Sequence, residues 1–228
     1  MKAAGLSTLP PAALGPLIQA LSLLVWALPG AVVLCVQMAR TDWLHPLGPW
    51  PGVLSTGLLW AAVHRLARVD PDHHWLQAVD PLRLLALLNW GLSPFVYWHG
   101  RLPQQPWFEA MALAAAVGGL LFLIRLNRTL RLIADRLPAE GLRQEVRVLV
   151  PWNQAWLIAA LSLLLLAEGL SRYSPAPAGV LRLLAALDRH SFMLWVTLLL
   201  APLAMTMTLL WKTRKVAWHT LLQHAARP

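Results

Sequence analysis

The chain has 228 residues, 58% of them apolar and only 13% charged, with a mean hydropathy of +0.56. A water-soluble domain carries about 25% charged residues, so an ordinary soluble globule is excluded and a protein that faces lipid over much of its surface is indicated. The formal charge of +9 would suggest nucleic acid in a soluble chain, but here the basic residues stand at the ends of apolar runs, where they set topology and meet anionic headgroups. A nucleic-acid partner is therefore set aside.

A bilayer core of about 30 Å takes about 20 helical residues to cross. The sequence predicts an all-α integral membrane protein, a single domain over 1–228, with about six transmembrane helices. The chain begins with one Lys, two prolines and a long apolar run. That run is too long for the core of a cleaved signal peptide and is read as a retained first span. Span one covers 16–39 and contains Pro29-Gly30, which should kink it. Cys35 lies within it as the sole cysteine, so neither an internal disulfide nor a cysteine-based metal or redox motif is possible. TDWLHPLGPWPG follows as an interfacial turn.

Spans two and three, 51–66 and 84–97, are short. They cross by thinning the bilayer or snorkelling their ends, or form a re-entrant pair. Asn89 and Ser93-Pro94 interrupt the second of them. Between them lies DPDHH, the one place where acids and histidines gather. Asp70, Asp72, His73 and His74 supply oxygen and nitrogen donors of the kind a divalent metal takes; the alternative is a solvated turn begun by Asp-Pro. Span four, 107–124, carries small residues at helical spacing (Ala110, Ala114, Gly118) and should pack closely against its neighbours.

The stretch 125–150 is read as a cytoplasmic amphipathic arm. Leu126, Leu130, Ile133 and Leu137 form one helical stripe, Pro138 ends it, and Leu142, Val146 and Leu149 begin another. The arm is thus either a helical hairpin or two surface helices with arginine faces, its first helix able to continue span four as one rod. Arg128, Arg131, Arg136, Arg143 and Arg147 are the residues assigned to partner or lipid binding, because guanidinium pairs with carboxylate and phosphate in forked geometry. Span five covers 152–170, a short amphipathic helix around 180–190 lies in the interface, span six covers 191–211, and a basic tail covers 212–228.

On this map 14 Lys and Arg lie inside and 5 outside, which puts both termini and the arm in the cytoplasm and suits a multi-pass protein of a bacterial inner membrane. Trp43, Trp50, Trp75, Trp98, Trp107, Trp152 and Trp211 fall near segment ends, as interfacial belts do. PLRLLALLNW at Pro81 echoes VLRLLAALDR at Val180, either an internal repeat of the kind transporters are built on or the similarity that leucine-rich segments share by composition.

No serine elbow, zinc-protease motif, phosphate loop or cysteine pair occurs, and no acidic residue stands mid-span. The first functional reading is therefore a non-catalytic accessory, scaffold or partner-docking subunit of a membrane complex, bound to anionic headgroups and to a membrane-protein partner or a second copy of itself. A different class is a small-solute transporter or channel whose path runs past Pro29, Asn89, Ser93 and Pro94. A third is a haem or redox subunit with His99 and His190, which stand at matching depth, as axial ligands. No cofactor is predicted on the first reading; haem and a divalent metal belong to the alternatives.

Overall fold

Each apolar segment forms a helix because leucine and alanine recur on one face of it with few β-branched residues to oppose the helical state. In the computed structural model the element order is α1 (Pro11–Arg40), α2 (Trp50–Ala67), α3 (His73–Arg101), α4 (Pro106–Arg136), α5 (Glu140–Arg172) and α6 (Ala178–Ala225), with a 3-10 turn at His45–Leu47. The structure describes residues 9–41, 43–102, 104–172 and 178–225, excepting the side chains of 40, 45 and 171–197. Among the described residues there is no strand. Among the described residues three helices are long and apolar enough to cross a membrane: Pro11–Ala39, Pro106–Arg136 and Glu140–Leu170.

The six segments expected to span each lie inside one helix, but most of the helices run well past them. The arm is not a separate element. Its first half completes α4 and its second half begins α5, with the chain turning at 137–139, next to Pro138. Likewise α6, 48 residues long, contains the segment expected to lie flat in the interface, span six and most of the basic tail; at 1.5 Å per residue it is about 72 Å long. The echo pair falls in α3 and in the part of α6 whose side chains lie outside the described residues.

Pro138 follows the end of α4, whereas Pro81, Pro94 and Pro151 lie inside their helices without ending them. Pro94 lacks the N–H that would reach the Trp90 carbonyl, and the Ser93 hydroxyl takes its place, donating to Trp90 O at 2.9 Å. Pro151 frees the Arg147 carbonyl where the helix surface is exposed, and Pro81 does the same for Gln77.

The helices contact one another in sequence from α1 to α6, and α6 returns to α1, so they close a ring; α1 also touches α3 and α4 touches α6. One end of the bundle gathers the start of α1, the 68–72 loop, the 137–139 elbow and the end of α6. A cavity there is lined by Pro10, Leu14, Arg136, Pro138 and His224, and Arg136 pairs with Asp70. At the far end α3 meets α1, with Gly100 closely apposed to the Met38 carbonyl.

The surface changes along the bundle axis. Toward the far end it exposes Trp26, Leu54, Leu58, Leu87, Leu121, Trp156, Ile158 and Leu200. Toward the elbow end exposed Arg65, Arg125, Arg128, Arg131, Arg147 and Lys215 join exposed Val148, Trp218 and Leu222, while Leu126, Leu130, Ile133 and Val146 are buried beneath. The core of the elbow end is built on α1, whose Leu14, Leu17, Leu21, Leu24 and Leu28 form a buried stripe at three- and four-residue spacing. One face of the first half of α1 is thus buried against protein, which hydropathy alone cannot tell apart from contact with lipid.

Candidate functional site

Three groups of polar residues at the elbow end concern the site: an ionic clasp, a buried amide seam and an outward row of arginines. The clasp is centred on Arg136, the last residue of α4, whose side chain is only 2% exposed. Its Nη1 donates to Asp70 Oδ2 at 2.6 Å and its Nη2 to Asp72 Oδ2 at 2.8 Å. The guanidinium carbon lies 5.5 Å from the centre of the Trp75 ring, within cation–π range. Trp75 is itself fully buried and donates from Nε1 to Leu66 O at 3.0 Å.

Local sequence makes this arrangement. In Asp-Pro-Asp the Asp70 carboxylate accepts the Asp72 N–H at 3.0 Å, an Asx turn that presents both acids on one side of the loop. A buried cation requires such partners, since desolvating it alone would cost far more than the fold can supply. The Arg136 hydrogen bond holds the Asp72 carboxyl below the usual carboxylate range, helped by the His74 N–H and opposed by desolvation. The clasp ties the α2–α3 loop to the α4–α5 elbow, over 64 and 66 positions of chain.

The seam lies one level deeper. Asn127 on α4, Asn153 on α5 and Thr206 on α6 are each 0% exposed. Asn153 Nδ2 donates to Asn127 Oδ1 at 3.0 Å and to Thr206 Oγ1 at 2.8 Å. Asn127 Nδ2 donates to Thr206 Oγ1 at 3.0 Å and to Leu123 O at 2.8 Å. The Thr206 hydroxyl gives its own proton to Pro202 O at 2.8 Å. One threonine oxygen therefore accepts from two helices and donates within a third, and Asn153 Oδ1 is left buried without a partner.

The arginine row runs along the outer face of α4 at Arg125, Arg128 and Arg131, all exposed, with Arg147 exposed on α5. None of these four forms an ion pair among the described residues. The five arginines assigned from sequence thus divide. Arg128, Arg131 and Arg147 face outward. Arg136 is enclosed by the clasp. Arg143 is half-buried, donating to Glu140 Oε1 at 2.8 Å and reaching the Asp135 and Leu137 carbonyls at 3.3 Å each.

No protein-family model, curated protein or solved structure matches this chain.

The remaining sequence candidates are dispersed. Asp70 and Asp72 face Arg136 while His73 and His74 are exposed, and no group of three or more His, Cys, Asp or Glu that could hold a metal is gathered among the described residues. His99 sits in the last turn of α3 with Nδ1 unpartnered; the side chain of His190 lies outside the described residues. Of the proposed path, Pro29 lies within the unbroken α1. Asn89 donates to its own helix at Leu85 O, 2.8 Å, and its amide faces α4 at Gly118. Ser93 is buried and, like Asn89, bonds within α3.

Three contributors were absent from the sequence reading of the site. Asn127 stands between Leu123 and Leu130 on the buried stripe of α4, and a polar residue on an apolar face was the available signal. Trp75 read as a belt residue because it follows a loop. Thr206 gave no signal, since a threonine can satisfy its hydroxyl on its own helix.

Proposed function

We propose that the chain is a multi-pass membrane protein that acts as a docking subunit, with its elbow end in the cytoplasm and the arginine row of α4 receiving an acidic segment of a partner membrane protein. The observation that supports this reading is the row itself. Arg125, Arg128 and Arg131 project from a helix whose opposite face, Leu126, Leu130 and Ile133, is buried, so three guanidinium groups are held on one platform with no ion-pairing carboxylate among the described residues. The seam at Asn127, within the row, and the clasp at Arg136, beyond it, tie this stretch of α4 to its neighbours. Forked donors spaced one turn apart suit carboxylates presented on a helix or an extended strand. The apolar exposed surface toward the far end supports a lipid-facing zone beside a cytoplasmic one.

The test is recovery of the partner with the full-length tagged chain from native membranes in mild detergent. The triple variant Arg125→Glu, Arg128→Glu, Arg131→Glu should lose the co-purifying protein. Arg101→Glu, a charge reversal at the far end, should retain it. Equal recovery with the triple variant, or equal loss with both, would overturn the proposal.

A further inference from the structure

A groove of about 720 Å³ opens sideways between α2 and α3, lined by Trp60, His64, Asp80, Arg83, Leu84 and Leu87. Its chemistry is graded. Trp75 meets Leu66 near the elbow end, and Trp60 stacks on Trp90 farther along, with ring centres 5.3 Å apart. Asp80 and Arg83 therefore occupy the end of the groove nearer the elbow, and Leu84, Leu87 and Trp60 the end nearer the middle of the bundle. The surface around it makes the same change, from exposed Arg65 to exposed Leu84 and Leu87.

The polar end holds one cation and one anion side by side. Arg83 Nη2 lies 3.4 Å from Asp80 Oδ1, and both side chains are nearly half exposed, at 43% and 49%. Such an i,i+3 pair is weakly held and opens readily to a ligand carrying the mirror-image charges. Trp60 and His64 stack with ring centres 5.1 Å apart and planes 18° apart, giving a flat wall, and His64 Nδ1 has no hydrogen-bond partner among the described residues.

We propose that this groove binds a zwitterionic glycerophospholipid whose headgroup ends in a primary ammonium. The phosphate diester sits on Arg83, the ammonium donates to Asp80, and the first acyl carbons lie along Leu84, Leu87 and the Trp60 ring. An anionic headgroup would leave Asp80 facing a second negative charge. A trimethylated head carries the same charge but has no N–H to donate to the carboxylate, so it forfeits a charge-assisted hydrogen bond. The inference rests on the chain lying in a membrane and is independent of what docks on the arginine row.

The test uses the full chain in nanodiscs made from equimolar phosphatidylethanolamine, phosphatidylcholine and phosphatidylglycerol, with retained lipid read by native mass spectrometry. Phosphatidylethanolamine should be retained about fivefold over phosphatidylcholine. Asp80→Asn should abolish that preference and Asp80→Glu should restore it, while Arg83→Gln should weaken retention of all three lipids. Both side chains are on the surface, so an unchanged helical circular dichroism spectrum serves as the folding control. No ethanolamine preference in the natural chain, a preference for phosphatidylglycerol, or a preference that survives Asp80→Asn would each overturn the proposal.

Discussion

The seam makes an unusual demand on mutational energetics, because its smallest member should matter most. Thr206→Val keeps the side-chain shape but removes one acceptor shared by two helices. It leaves one N–H of Asn127 and one of Asn153 buried without an acceptor and deletes the bond to Pro202 O. Hydrogen bonds between helices in membrane proteins average about 0.6 kcal/mol, and an unsatisfied buried donor costs about 1–3 kcal/mol. Between these limits the substitution should destabilise by about 2–4 kcal/mol.

Asn153→Leu removes a larger polar group yet should cost about 1 kcal/mol or less. It deletes two hydrogen bonds, but it also deletes Asn153 Oδ1, which has no partner in the natural chain, and thereby offsets the newly orphaned Asn127 Oδ1. The double variant should be less destabilised than the two singles summed, since the stranded Asn153 donor is gone. Reversible unfolding in mixed micelles, followed by far-ultraviolet circular dichroism, measures all three. If Asn153→Leu proves more damaging than Thr206→Val, the hydrogen-bond inventory of the seam is wrong.

Arg136→Met should lower stability by about 3 kcal/mol, because it strands the half-enclosed Asp70 carboxylate, and a thermal melt in detergent would detect it. The clasp also sets an acid limit. Asp72 has a lowered pKa, so its contribution is present above the ordinary carboxylate pKa of about 4 and is lost as the pH falls through the lower folded value. Melting temperature should therefore be insensitive to this group at neutral pH and drop in strong acid, less so in Asp72→Asn. At the α3–α4 contact, a Cβ on Gly118 would lie 3.2 Å from the Asn89 amide, whereas one on Gly119 meets nothing nearer than 3.9 Å. Gly118→Val should then cost about 1–3 kcal/mol by overpacking, and Gly119→Ala should be neutral or stabilising through helix propensity; the same melts compare them. For sidedness, a cysteine replacing exposed Glu140 in a Cys35→Ala background should resist an impermeant maleimide on intact cells and react after permeabilisation. Labelling of intact cells would reverse the proposed orientation.

The sequence alone determined that the chain is helical and rich in membrane-length apolar runs, and that its longest charged stretch breaks at Pro138. These are properties of single segments: an apolar stripe repeats every three or four residues whatever it packs against, and proline withholds its N–H in any surroundings. The tertiary structure decided which polar groups are buried and what they pair with. Arg131 and Arg136 belong to one run and look alike as residues, yet one faces outward and the other is enclosed by acids more than sixty positions away. Asn127 reads as a flaw in an apolar stripe until α5 and α6 bring an amide and a hydroxyl within 3.0 Å of it. The first half of α1 reads as a span from its hydropathy, and only the fold shows that its Leu14, Leu17, Leu21 and Leu24 pack against the other helices. Hydropathy and periodicity are local, whereas desolvation and pairing depend on which distant segment supplies the neighbouring atoms.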